Sequence, residues 1–190
     1  MKNLNIGFAM CGSFCTFSKA IEQITALVEA GAQVTPIMSQ TAYTTDTRFG
    51  KAEDINARIE SICAKPIIHT VEQAEPIGPA KMFDILIVEP CTGNTLAKLA
   101  CGITDTAVTM ACKSHLRNAR PVLLAVSTND ALGNSAKNIG SLLNYRNIYF
   151  VPMRQDNCTS KPRSVVADFD LTLKAAESAL NAEQLQPVLL

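Results

Sequence analysis

Three features of the sequence predict a doubly wound α/β fold, a three-layer αβα sandwich around a parallel sheet of the Rossmann-like or flavodoxin-like kind. Short apolar runs alternate with stretches of helical spacing along the chain. Several runs are continuously apolar rather than alternating, as strands buried on both faces require. The connections are short, and right-handed crossovers then place helices on both sides of the sheet.

The elements follow in order. Residues 4–11 are mostly apolar and end at Gly12. From 16 to 30, Phe17, Ala20, Ile21, Ile24, Leu27 and Val28 fall at helical spacing, and Gly31 can take the left-handed conformation past the last turn. Residues 33–38 read as a second strand. Residues 54–65 read as a helix, and Pro66-Ile67-Ile68 as a short edge strand. Residues 84–89 form a buried-type strand ended by Pro90. Helices follow over 94–100 and 106–118, a buried strand over 121–126, a helix over 136–144, a strand over 147–151 and a closing helix over 170–182. Segments 44–51 and 158–164 read as long exposed loops.

Composition bounds the function. A chain of 190 residues, 47% hydrophobic and 18% charged, is expected to fold as one domain over 1–190. Seventeen basic and seventeen acidic residues leave no net charge, so no basic surface for nucleic acid is expected. Low net charge with much apolar surface favours self-association. The apolar runs are too short to span a bilayer. Seven scattered cysteines include no CxxC pair, so no metal site is expected. Most read as small core residues, and reduced thiols without a signal peptide point to the cytoplasm.

In such a sheet, ligands collect beyond the carboxyl ends of the strands, where the winding reverses. Four loops converge there. Gly12 allows close backbone approach, and Ser13 brings a hydroxyl to a helix N-terminus. Thr92, Gly93, Asn94 and Thr95 follow the central strand, and the Asn94 amide both donates and accepts, which suits the edge of a heteroaromatic ring. Helix capping by Thr92 or Asn94 explains part of this loop equally well. Ser127, Thr128 and Asn129 open a loop of small polar residues running to Gly133, and Ser39 follows the second strand. GxGxxG and P-loop patterns are absent, so a mononucleotide fits better than a dinucleotide.

These segments resemble the flavoprotein family of homo-oligomeric flavin-containing decarboxylases. The resemblance is carried by Gly12-Ser13, by Pro90-Cys91-Thr92-Gly93-Asn94-Thr95-Leu96-Ala97-Lys98-Leu99-Ala100, and by Asn129 one strand later. It implies an FMN site around Asn94 and a trimer-based homo-oligomer. Nearly the whole chain is similar to one branch, through Thr47-Arg48-Phe49-Gly50, Ala74-Glu75-Pro76-Ile77-Gly78-Pro79 and Ser127-Thr128-Asn129-Asp130-Ala131-Leu132-Gly133. In that branch a flavoprotein-like chain joins a different protein, which carries NADP or NAD, to aromatise a small dihydropyridine dicarboxylate in the mother cell of a sporulating bacterium. The sequence departs from the decarboxylases: Val126-Ser127-Thr128-Asn129 replaces Pro-Ala-Met-Asn, and 41–62 contains no histidine. Cysteinyl-peptide decarboxylation is therefore unsupported. A decarboxylase or prenyl-flavin-type transferase, and a non-catalytic partner protein, stay open as alternatives.

A dicarboxylate asks for guanidinium forks. Arg48 and Arg154 are the expected substrate ligands, with Arg163 and Lys161 nearby. His69 and His115 read as ordinary surface or interface histidines, and Cys158 as a thiol among basic neighbours. No catalytic acid or base is assigned from the sequence.

Overall fold

The computed structural model describes residues 1–190. Five parallel strands, β1 (Asn5–Met10), β2 (Gln33–Met38), β3 (Ile85–Cys91), β4 (Val122–Thr128) and β5 (Ile148–Phe150), run in the order β2-β1-β3-β4-β5. The winding reverses between β1 and β3, which lie side by side. A hairpin of β6 (Met153–Asn157) and β7 (Lys161–Ala167) is added antiparallel where β4 ends, through Ser127–Val166 and Thr128–Val165.

The helices are α1 (Phe17–Glu29), α2 (Gln40–Thr44), α3 (Ala52–Cys63), α4 (Val71–Ala74), α5 (Gly93–Ala100), α6 (Ala107–Leu116), α7 (Ala136–Leu143) and α8 (Thr172–Leu180). One layer is α1 with α8, touching each other and β3. The other is α4, α6, α5 and α7, linked in that order, with α5 and α6 resting on β4. All seven residues of β3 are buried, which explains the unbroken apolar run read from the sequence. A single cluster of 48 buried residues joins both layers through the sheet. Thr106 caps α6 by accepting from the Thr109 amide at 3.1 Å, and the Thr109 hydroxyl accepts from the Thr106 amide in return.

Four expectations need correction. Residues 158–164 belong to the β6–β7 hairpin and its turn, so the sheet is not wholly parallel. Only Met153 of β6 is buried, so no apolar alternation announced the strand. Residues 66–68 contribute only an isolated bridge, Ile37–Ile68, to the edge of β2. Pro90 does not end β3: the strand runs to Cys91, with the β3–β4 register shifting between Val88 and Cys91 around the residue that has no N–H to give. The long loop at 44–51 is shortened by α2 and pinched by a Thr47–Gly50 bridge.

Candidate functional site

The loops after β1, β3 and β4 and the inner side of the hairpin enclose a cleft of about 1270 Å³. It contains Gly12, Ser13, Thr92, Gly93, Asn94, Ser127, Thr128 and Asn129, with Arg48 and Arg154 at the same cleft. Ser39 and Thr95 do not line it. Ser39 caps α2, accepting from the Ala42 amide at 3.3 Å, while Thr95 lies behind the wall and donates to Cys11 Sγ at 3.1 Å.

Each wall is fixed by short polar bonds. Ser13 Oγ and Ser127 Oγ are 2.8 Å apart, tying the loop after β1 to the end of β4. Thr16 donates to the Ser13 carbonyl at 2.8 Å and holds that turn. Gly12 has space for a Cβ, its nearest neighbour being 3.4 Å away, and its N–H makes no hydrogen bond in the chain. Packing therefore does not require the missing side chain; a backbone left open to the cleft does explain it. Thr92 caps α5, which leaves Gly93 and Asn94 at the first two helical positions, where an amide has no intrahelical partner. At Gly93 a Cβ would stand 2.7 Å from Ser135 Oγ and 2.8 Å from Thr128 Oγ1. Glycine is what lets the β3 and β4 loops touch.

The third wall is a polar network built on the 127–133 loop. Asp130 Oδ1 accepts from Thr128 Oγ1 and from Ser135 Oγ, each at 2.8 Å. Asn134, in the turn before α7, and Asn138, in its first turn, line the cleft beside it. The side-chain amides of Asn94, Asn129, Asn134 and Asn138 make no hydrogen bond within the chain, so all four are free for a ligand.

The cations divide into two kinds. Arg154 is held by Asp168 at 2.6 Å and Lys161 by Asp156 at 2.6 Å. Arg48, stacked on the Phe49 ring at 4.9 Å, and Lys19 have no carboxylate within salt-bridge distance. Both line the cleft, and Lys19 was not singled out by the sequence.

Glu89 lies behind the cleft, two residues before Cys91 and three before the lining residue Thr92. It is fully buried, accepts from Thr172 Oγ1 at 2.6 Å and has no partner for Oε1. Burial holds this carboxyl well above the usual carboxylate range. The buried thiols are poor nucleophiles for the same reason: burial pushes Cys11 up to about 11. The expectation of surface histidines fails for His115, which is 1% exposed and bonded to the Pro121 carbonyl at 3.1 Å. Burial lowers its pKa to about 4. His69, partly buried, stacks on Tyr43 with ring centroids 3.9 Å apart. Neither histidine lines the cleft. No three His, Cys, Asp or Glu side chains converge as metal ligands, and no helix is long and apolar enough to cross a membrane.

A mainly parallel sheet with a hydroxyl- and amide-lined cleft at its switch point defines the α/β class, and comparison with known proteins sharpens it. The chain belongs to the flavoprotein family, whose model matches residues 1–171. It is 42% identical over 189 residues to the B subunit of dipicolinate synthase from Bacillus subtilis (strain 168), across 100% of this chain and 94% of that one. The crystal structure of the corresponding B subunit of dipicolinate synthase from Bacillus halodurans C superimposes with a TM-score of 0.91 at 42% identity, covering 100% of this chain and 97% of the other. A dodecameric FMN-dependent Ubix-like decarboxylase from Escherichia coli O157:H7 shares the fold, with a TM-score of 0.65 and 22% identity over 78% of this chain and 80% of that one.

Proposed function

We propose that this chain is the B subunit of a two-component dipicolinate synthase, oxidising dihydrodipicolinate to dipicolinate together with the nicotinamide-binding A subunit. The observation that carries the reading is the pairing of two chemistries in one cleft. Hydroxyls and four uncommitted asparagine amides line it, and so do Arg48 and Lys19, which have no carboxylate within salt-bridge distance. Full-length similarity to the Bacillus subtilis B subunit supports the same assignment.

The hydroxyls and amides suit FMN. Gly12, Ser13, Asn94, Ser127, Thr128 and Asn129 would hold it through backbone amides, hydroxyls and side-chain amides. Bound there, it would supply a two-electron redox centre. Arg48 and Lys19 would take the two carboxylates of the substrate, with Arg154 adding a third positive charge already oriented by Asp168. Residues 1–190 act as one domain in this reading, within a trimer-based homo-oligomer in the cytoplasm of the sporulating mother cell.

The test mixes the purified chain with dihydrodipicolinate and NADP or NAD, with the A subunit present or omitted, and follows pyridine absorbance. Formation of dipicolinate only in the complete mixture is the expected result. Full activity from this chain alone refutes the two-component assignment. A visible spectrum that does not change on adding FMN refutes the flavin site.

A further inference from the structure

Four carboxylates line the cleft, and they differ in what already holds them. Asp156 commits an oxygen to Lys161 and Asp168 to Arg154, each at 2.6 Å. Asp170 is exposed, at the turn leading into α8, and makes no hydrogen bond through its side chain. Asp130 alone is fixed without a cation. Its Oδ1 receives the Thr128 and Ser135 hydroxyls, and its own carbonyl is tied to the Gly133 amide at 2.8 Å. Its Oδ2 makes no hydrogen bond in the chain. The side chain is thus oriented by neutral donors, and one oxygen is left with free lone pairs.

We infer that Asp130 is the catalytic base of this cleft and takes the proton released when the dihydropyridine ring becomes aromatic. The inference rests on the dehydrogenase reading above. Aromatisation removes two hydrogens and two electrons from the ring. One hydrogen leaves with its bonding pair, as hydride, and its two electrons end on the oxidised nicotinamide held by the other component. The other leaves as a proton to Asp130 Oδ2, and the pair from its broken bond stays in the ring to complete the pyridine. Asp130 then returns the proton to water. Its neighbours suit the role. Gly93 brings the flavin-side loop against Asp130, where a Cβ would stand 3.0 Å from Oδ1, so the base sits beside the wall proposed to hold the ring. Preorientation by two hydroxyls removes the need to order the carboxylate during the reaction.

Asp130→Asn is the test, in the complex reconstituted from both components. The amide oxygen can still accept from Thr128 and Ser135, so the loop keeps its bonds while the base is lost. The expected result is a fall in kcat of about 10²–10⁴-fold, with KM and FMN-induced spectral change within about threefold of the parent. Thr128→Val, which removes one orienting donor and leaves the carboxylate, should lower kcat by a smaller factor. An Asp130→Asn complex with kcat within about threefold of the parent, or one whose loss tracks lost FMN binding, overturns the inference and leaves the dehydrogenase reading intact. A parent complex that forms no dipicolinate overturns both.

Discussion

Replacing Glu89 by Gln should stabilise the protein increasingly as pH rises, and the size follows from counting protons. The carboxyl is fully buried, with one oxygen bonded to Thr172 and the other unpartnered. Its pKa, held up by burial, is well above 4.5 in the folded chain, and returns to about 4.5 on unfolding. Between these two values the native state binds one more proton than the unfolded state. Stability therefore falls as pH rises, by about 1.36 kcal/mol per pH unit. Glutamine keeps the shape and the acceptor for Thr172 but does not titrate. The stability difference between Glu89→Gln and the parent should grow with pH, by at most about 1.36 kcal/mol per pH unit, for as long as the folded chain keeps the carboxyl protonated. Urea unfolding followed by circular dichroism at pH 5, 6 and 7 measures it. A difference that stays constant across this range refutes the neutral buried acid.

His115 should act with the opposite sign: its pKa is lowered to about 4 from 6.5, so stability rises with pH across that window. The two groups oppose each other above pH 4.5, and His115→Gln should expose the falling slope of Glu89 in the same titration. Gly93→Ala forces a Cβ to 2.7 Å from Ser135 Oγ, so melting should show a loss of about 1–3 kcal/mol and FMN titration a weaker spectral change. Ellman's reagent should modify the exposed Cys15, Cys101 and Cys158 at once and the buried Cys11, Cys63, Cys91 and Cys112 only after denaturation. Added FMN should slow Cys15, which lines the cleft, and neither of the other two exposed thiols.

The parallel core was legible because each strand carries its own signal. In β3 every side chain is buried, so Ile85, Leu86, Ile87 and Val88 form a continuous run that needs no partner to be recognised. The helix over Phe17–Glu29 declared itself through the spacing of Ala20, Ile21, Ile24 and Leu27, all buried. The hairpin was not legible. Arg154, Gln155, Asp156 and Asn157 are exposed, and their extended backbone comes from pairing with β7 rather than from local pattern. Pro90 misled for a related reason: its cost to a strand depends on which neighbour would have needed its N–H, and a register shift absorbs it.

The site divided along the same line. Residue type and order alone determined which loops meet, because β1, β3 and β4 run parallel and their carboxyl ends fall on one rim. Sequence thus brought Gly12, Ser13, Thr92, Asn94, Ser127 and Asn129 to one cleft. Only the tertiary structure decided which side chains are free to act. Whether Arg154 is committed to Asp168, whether Arg48 has a carboxylate beside it, and which oxygen of Asp130 is left open depend on contacts between residues distant in sequence or on side-chain geometry. Strand burial is written in local composition, while the pairing of a polar group is a property of its neighbours in space.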